Sequence, residues 1–567
     1  MNWIKSQHPV LRMTLLSIVL GFIGAFSGLA FIWMLVQAQT YLLSGIGHYT
    51  PPTVLDTTQT ALPLELWWIP VVTTLGGLIS GVIVFLFAPE AEGHGTDAFI
   101  KSFHQDAGYI RGRVPIVKAV ASAITIGSGG SAGREGPVAQ IAAGTASRLS
   151  DGLGLTEQER RQMTVIGTAA GLAAIFKSPL GTALFAIKVL YSGSAFETSV
   201  LYYSIIATAV AYSVIGLFNG WSPLFILPEG LAFEHPLELL WFAALGLAVG
   251  VAGALVPTIF YGTRDIFRAL PIPPYLKPAL GGLILGVMAM FLPEVLGGGY
   301  GWIQLAINDK LPLVLLATLV IAKTLAMALT VGSGGSGGIF APTLFIGAML
   351  GGVLASLVSQ TGYFVPEHAG FVVISTAALF GCASRAPVAS LIMIIEMTGS
   401  YKLAVPAMIT VVISLLVQQF LTRNAKYPSL YEAQVVSPTD SPAHQAEYME
   451  TVINNLHQKK VQLPANLVTE EASRFLAAGG SISLPNGKKL ATLQVDPKSV
   501  SNGKLLSDLG LMADIQVIAI FQGETMISQF EKHQLQAGDL LVVVASRTGL
   551  SKAEQCLFNN PDTNTNS

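Results

Sequence analysis

Residues Gly127–Pro137 read GSGGSAGREGP, and the pattern returns at Gly332–Pro342 as GSGGSGGIFAP. Seven of the eleven positions are identical, at an offset of 205. Each glycine run follows a long apolar stretch and precedes a helix-compatible one, Val138–Ala146 and Thr343–Leu354. Irregular backbone at membrane depth survives only where protein covers it or where it lines a polar cavity. Glycine lets a chain break a helix and bring bare N–H groups close to a ligand. A helix start carries unpaired N–H groups and about half a positive charge. Two such starts aimed at one spot predict an anion site without a full positive charge, and dipoles release an anion more readily than a lysine does. The competing role for such runs is close helix crossing through small residues. Gly332–Gly337 also fits the G-x-G-x-x-G dinucleotide fingerprint, but it follows a membrane-length apolar run rather than a strand, and neither loop carries G-K-[ST].

A second landmark repeats. Thr168-Ala169-Ala170 matches Thr376-Ala377-Ala378, and Lys177-Ser178-Pro179 parallels Arg385-Ala386-Pro387, both at an offset of 208. Two landmarks at nearly one spacing predict two related halves. Such halves, often inverted in topology, are a common transporter plan with the ion site at their interface. Only the first loop carries Arg134 and Glu135; Glu135 is replaced by Phe340 in the second. A carboxylate inside the bilayer is costly, hence a functional candidate. Charged, it can occupy the anion site itself; protonated, it lets go, so one group would couple proton and anion binding. Its alternative role is an ion pair with Arg134.

Composition agrees with a membrane body. Of 567 residues, 52% are hydrophobic and 11% charged, against about 25% charged in soluble domains. Apolar runs from near Leu64 to Phe87 and at Leu239–Tyr261, Leu311–Leu329, Gly370–Ile395 and Leu403–Leu421 approach the roughly 20 residues that span a bilayer; ten or more membrane segments are expected. Lys5 and Arg12 precede the run Leu15–Val36, too long for a signal core, so it reads as a retained first helix with a cytoplasmic N-terminus. The net charge of −2 and the absence of a basic tract argue against nucleic-acid binding. Two cysteines, Cys382 and Cys556, and nine scattered histidines suggest neither a disulfide framework nor a metal site, and no cofactor or enzymatic constellation is expected.

From Arg423 the texture turns polar. The expected domains are a transmembrane body over 1–422, a linker over 423–460, a cytoplasmic α/β domain over 461–558 and a disordered tail over 559–567. Strands are expected at Ile515–Phe521, Glu524–Ser528 and Leu540–Ala545, with a short helix at Leu505–Leu509.

GREGP at Gly133–Pro137 and GIFAP at Gly338–Pro342 resemble signature motifs of the CLC family of chloride channels and proton/chloride antiporters. The likeness covers most of residues 10–445 and includes Ala88-Pro89-Glu90-Ala91, GLAAIFKSPL from Gly171, Glu396-Met397-Thr398-Gly399 and Ser429-Leu430-Tyr431. It implies an all-α polytopic membrane protein with inverted repeats, in the cell (plasma or inner) membrane with cytoplasmic termini. It further implies a homodimer with one anion pathway per subunit. Carried over by position, Glu135 resembles the gating and proton-coupling glutamate. The N–H groups of Ile339, Phe340 and Ala341 resemble those at the central anion site. Arg134 and Gly136 lie at the helix start that faces the outer site. Tyr431 resembles the tyrosine whose hydroxyl helps bind the central ion, with Tyr427 as rival.

Two departures stand out. At Gly93-His94-Gly95-Thr96-Asp97, His94 takes the place of an anion-contacting serine; histidine still donates an N–H and titrates near neutrality, which leaves chloride, nitrate and fluoride open. Val189 takes the place of an internal proton-relay glutamate, with Lys188 beside it. Glu135 thus implies proton-coupled exchange and Val189 a passive channel. The tail over Gly503–Ser546 resembles the C-terminal domain of TrkA/RCK potassium-transport regulators, which implies dimerisation and a possible small-molecule ligand.

Overall fold

The computed structural model describes residues 8–55, 66–229, 231, 233, 235–362, 366–446, 449, 476, 479–484, 487–497, 499, 501–510, 515–522, 525–527 and 533–558. Lys5, the expected tail 559–567 and most of the linker beyond 446 lie outside them. The chain forms two compact units: the first comprises Met1–Phe103, Gly108–Leu190 and Phe196–Gln434, and the second is built mainly from Val435 onward.

The first unit holds two sets of eight helices. The first set is α1 (Pro9–Ala38), α2 (Trp68–Phe87), α3 (Thr96–Gln105), α4 (Val114–Gly127), α5 (Glu135–Leu153), α6 (Glu157–Phe176), α7 (Pro179–Lys188) and α8 (Leu201–Asn219). The second is α9 (Glu238–Ala269), α10 (Lys277–Ala289), α11 (Tyr300–Ile307), α12 (Leu313–Val331), α13 (Phe340–Ser359), α14 (His368–Ala383), α15 (Pro387–Thr398) and α16 (Ala404–Thr422). They correspond in order, and the repeats found in the sequence fall on corresponding joints, α4–α5 with α12–α13 and α6–α7 with α14–α15.

Among the described residues, seven helices are long and apolar enough to cross a membrane: α1, α2, α8, α9, α12, α13 and α16. Four more apolar helices, α4, α10, α14 and α15, are shorter. The run Gly370–Ile395, expected as one span, is broken. Arg385 adopts a left-handed φ of 60° and Pro387 starts α15, where proline's missing N–H costs nothing. Lys177, with φ 52°, breaks the first half at the corresponding place. Both breakers then serve as helix C-caps. Lys177 Nζ donates to the carbonyls of Asn219, Gly220 and Ser222 at 3.3, 2.9 and 2.9 Å, at the end of α8. Arg385 donates to Thr422 Oγ1 at 2.9 Å and the Pro428 carbonyl at 3.2 Å, at the end of α16. A cation at a helix C-terminus meets unpaired carbonyls and the negative end of the dipole.

The second unit carries an antiparallel sheet of order β1-β2-β5-β3-β4. The strands are β1 (Ser481–Ser483), β2 (Lys489–Gln494), β3 (Ile515–Gln522), β4 (Thr525–Ile527) and β5 (Leu540–Ala545). β5 is central and buried at every position, so it reads LLVVVA without alternation. Leu541, Val543 and Ala545 pack with Ala553 and Leu557 of α17 (Arg547–Phe558) on one face; Val542 and Val544 pack with Leu490 and Phe521 on the other. β1 and β2 escaped sequence reading because they are short and begin at polar residues. The expected helix at Leu505–Leu509 is a 3₁₀ turn, Leu506–Leu509.

Candidate functional site

The two glycine loops meet. Gly133 N–H donates to the Gly338 carbonyl and Gly338 N–H to the Gly133 carbonyl, both at 2.7 Å, forming an antiparallel bridge. The two glycines are equivalent positions of the repeat. Equivalent residues that pair with each other antiparallel lie on a local two-fold axis, so the halves are inverted here. The bridge places the starts of α5 and α13 side by side, because Glu135 and Phe340 each follow their glycine by two residues. No side chain fits at this crossing: a Cβ on Gly338 would lie 2.9 Å from both Gly133 O and Gly136 N.

Glu135 is buried, 1% exposed. Tyr300 donates its hydroxyl to Glu135 Oε1. Oε2 and the Ala341 N–H lie on the same flank of Gly133, where a Cβ would collide with the carboxylate. The side chain thus folds across the bridge toward α13. Arg134 Nε lies 4.0 Å from Oε1, while the guanidinium sits 4.8 Å above the Tyr300 ring. The ion pair with Arg134 and the hydrogen bond to Tyr300 therefore coexist.

Two further helix starts adjoin. Gly95 and Gly299, both with left-handed φ (79° and 80°), precede α3 and α11. The open flank of Gly95 presses on the Gly136 carbonyl, and that of Gly136 presses on the His94 carbonyl. Each connection is held by a buried lysine. Lys118 Nζ donates to Ala91 O at 3.0 Å and Gly93 O at 2.6 Å. Lys323 Nζ donates to Val295 O at 2.8 Å and Gly297 O at 2.7 Å. Gly93 O also accepts from Gly337 N–H at 3.2 Å, tying the first connection to the second loop. A buried ammonium is costly unless its protons are matched; the two loop carbonyls supply that match and fix the loop in return.

His94 is buried, its Nδ1 facing the Asp97 N–H at 3.4 Å and its ring 5.6 Å from that of Tyr431. Tyr431 is buried and neighbours Phe185, which packs against Phe340. Ile339 precedes Phe340 as the residue capping α13. Glu135, Arg134, Gly136, Gly93, His94, Ile339, Phe340, Ala341 and Tyr431 thus gather around the bridge. Tyr427 does not: its hydroxyl is tied to Asp265 at 3.0 Å and to Arg264 at 3.1 Å. Val189 is buried, with its carbonyl taken by Gln434 Nε2 at 2.8 Å. Glu396, at the position of the repeat corresponding to Lys188, caps α7, accepting from Ser178 Oγ at 2.6 Å, Gly181 N–H at 2.9 Å and Leu180 N–H at 3.1 Å.

Sequence reading missed Tyr300, Lys118 and Lys323. The signal was present: Pro89-Glu90-Ala91 recurs as Pro293-Glu294-Val295 at an offset of 204, and Lys118 recurs as Lys323 at 205.

Two inverted sets of broken helices around one buried carboxylate define a polytopic membrane protein of the inverted-repeat transport class. The chain belongs to the voltage gated chloride channel family, whose family model matches residues 76–419. It is 30% identical over 402 residues to a putative chloride channel protein, ClcB-like, of Ralstonia nicotianae, covering 69% of this chain and 90% of that one. It is 28% identical over 439 residues to the H(+)/Cl(-) exchange transporter ClcA of Yersinia pseudotuberculosis, covering 75% and 88%. The fold is similar to that of a slow cyanobacterial Cl⁻/H⁺ antiporter (TM-score 0.66, 24% identity, 75% of this chain and 97% of that one). It is also similar to that of a CLC-type fluoride/proton antiporter (TM-score 0.62, 23% identity, 75% and 98%).

Proposed function

We propose that this protein exchanges chloride for protons across a membrane, with Glu135 as the coupling group. One observation carries the reading: a buried carboxylate lies across the junction of two helix starts, where an anion would otherwise bind. Its ionised form competes with the anion; its protonated form vacates the place. His94, Gly93, Arg134, Gly136, Ile339, Phe340, Ala341 and Tyr431 form the anion path around it. The relatives named as a proton/chloride exchanger and as a chloride channel bracket the possibilities. The protein works as a homodimer in the cell membrane with both termini cytoplasmic, and is not an enzyme. The tail, 461–558, reads as a TrkA-C-like domain, either a dimer-stabilising module or a sensor of a small ligand.

Val189, which holds no proton, favours a second reading as a passive channel, and His94 keeps nitrate or fluoride as alternative anions. Purified protein in liposomes separates these. A chloride gradient that drives protons uphill marks exchange; chloride flux without proton movement marks a channel. Glu135→Gln is expected to abolish proton movement while anion flux continues, and coupling that persists in this variant would overturn the role of Glu135. Reversal potentials in chloride, nitrate and fluoride gradients identify the anion.

A further inference from the structure

Exchange requires a proton to travel from Glu135 to the opposite mouth of the pathway, and residue 189 cannot carry it. One cavity in the first unit is lined by a carboxylate. This cavity, of about 240 Å³, is lined by Glu92, Arg268, Lys277 and Gly332–Gly334, among others. At about 30 Å³ per water in the liquid, it holds several waters. Its floor is the start of the second glycine loop: Glu92 Oε1 lies 3.1 Å from where a Gly334 Cβ would stand. Glu92 lines this space and sits two residues before His94. Among the described residues the Glu92 side chain makes no hydrogen bond or ion pair, whereas Glu90, two residues earlier, pairs with Arg111 and Lys118 donates to the carbonyls of Ala91 and Gly93.

His94, two residues along from Glu92, is buried beside the start of α5. Its Nδ1 faces the Asp97 N–H at 3.4 Å, which assigns the proton of the neutral ring to Nε2. Its carbonyl abuts Gly136, the residue after Glu135. The charges acting on Glu92 are Arg268, Lys118, Lys277 and Arg264. Partial burial raises the Glu92 carboxyl above its ordinary range, and those four cations act against the rise.

Resting on the exchange reading above, we propose that Glu92 is a proton-transfer carboxylate that exchanges protons between the water of this cavity and the buried His94–Glu135 region. In each transfer one O–H or N–H bond breaks and another forms, so the net event is one proton moved and no further reactant is needed.

The test is made on full-length protein in liposomes, with chloride flux and chloride-driven proton flux measured together in wild type, Glu92→Gln and Glu92→Asp. The expected result for Glu92→Gln is retained chloride flux with proton flux at least about tenfold lower, because an amide holds the shape but cannot shuttle the proton. Glu92→Asp is expected to restore most of the ratio. A wild type that couples, beside a Glu92→Gln variant with an unchanged proton-to-chloride ratio, overturns this proposal alone and leaves residue 92 as a charge at the mouth. A wild type that moves chloride but no protons overturns the exchange reading and this proposal with it. Should Glu92→Gln fail to yield folded protein, the pH profile of proton flux in Glu92→Asp decides: a shifted profile supports transfer through residue 92, and superimposable profiles overturn it.

Discussion

Tyr300 shows how much of the site depends on one hydroxyl. Its O–H donates to Glu135, and a hydrogen bond to an ionised group contributes about 1.5–3 kcal/mol. The bond favours the charged carboxylate in the position it holds across the bridge, which the proposed function reads as the blocking one. Tyr300→Phe removes it and keeps the ring beneath Arg134. Anion flux is expected to rise by about tenfold, the factor that 1.4 kcal/mol represents, and its pH profile to move toward higher pH, since the protonated form is then reached more easily. Stopped-flow or electrode recording of chloride efflux across a pH series checks both; an unchanged rate and profile would show that the hydroxyl does not hold the gate. Glu135 itself was legible in the sequence, because an acid beside glycines in an apolar chain has few reasons to be there. Tyr300 was not, because a tyrosine in an apolar run looks like any other membrane aromatic until the fold brings it 165 residues back along the chain.

At the scale of elements, the breaks matter as much as the helices. The helix starts of α3, α5 and α13 are brought together by glycines whose flanks are pressed against backbone, and that of α11 by Gly299, pressed against the Phe345 ring. Overpacking at such a crossing costs about 1–3 kcal/mol. Gly338→Ala is expected to lower the melting temperature in detergent and to depress anion flux, since its Cβ would push on Gly133 and Gly136 and part the bridge. Gly133→Ala acts differently: its Cβ would meet the Glu135 carboxylate, so proton coupling is expected to fall more steeply than stability. Equal losses in both variants on both assays would refute the distinction. The repeated loops were legible from identity alone. The lysine clamps at 118 and 323 were overlooked because a lysine in an apolar helix invites a search for an acid, and its partners here are carbonyls.

For the whole molecule, the second unit has a core of its own. The sheet of the second unit is covered on both faces by its own residues, with α17 closing one of them. A chain ended after Ala446 is expected to retain chloride flux within about twofold of the full chain, consistent with a regulatory rather than a conducting tail. Efflux assays on both lengths test this, and loss of flux with a monodisperse truncated protein would place the tail in the transport machinery.

The amino-acid sequence by itself determined that this is a membrane protein of two related halves, because hydropathy and repeated motifs are written residue by residue. It also marked Glu135, by charge out of place, and the strands β3 and β5, by unbroken apolar runs. Only the tertiary structure decided that the halves meet at Gly133 and Gly338, that the run from Gly370 is two helices, that Tyr300 and not Arg134 alone holds Glu135, and that Tyr427 belongs elsewhere. The first depends on which backbone groups find each other across about 200 residues of chain, and a hydrogen bond between distant carbonyls and amides leaves no mark on the identity of the residues that make it; the contacts of Tyr300 and Tyr427 depend on which side chains the fold brings together.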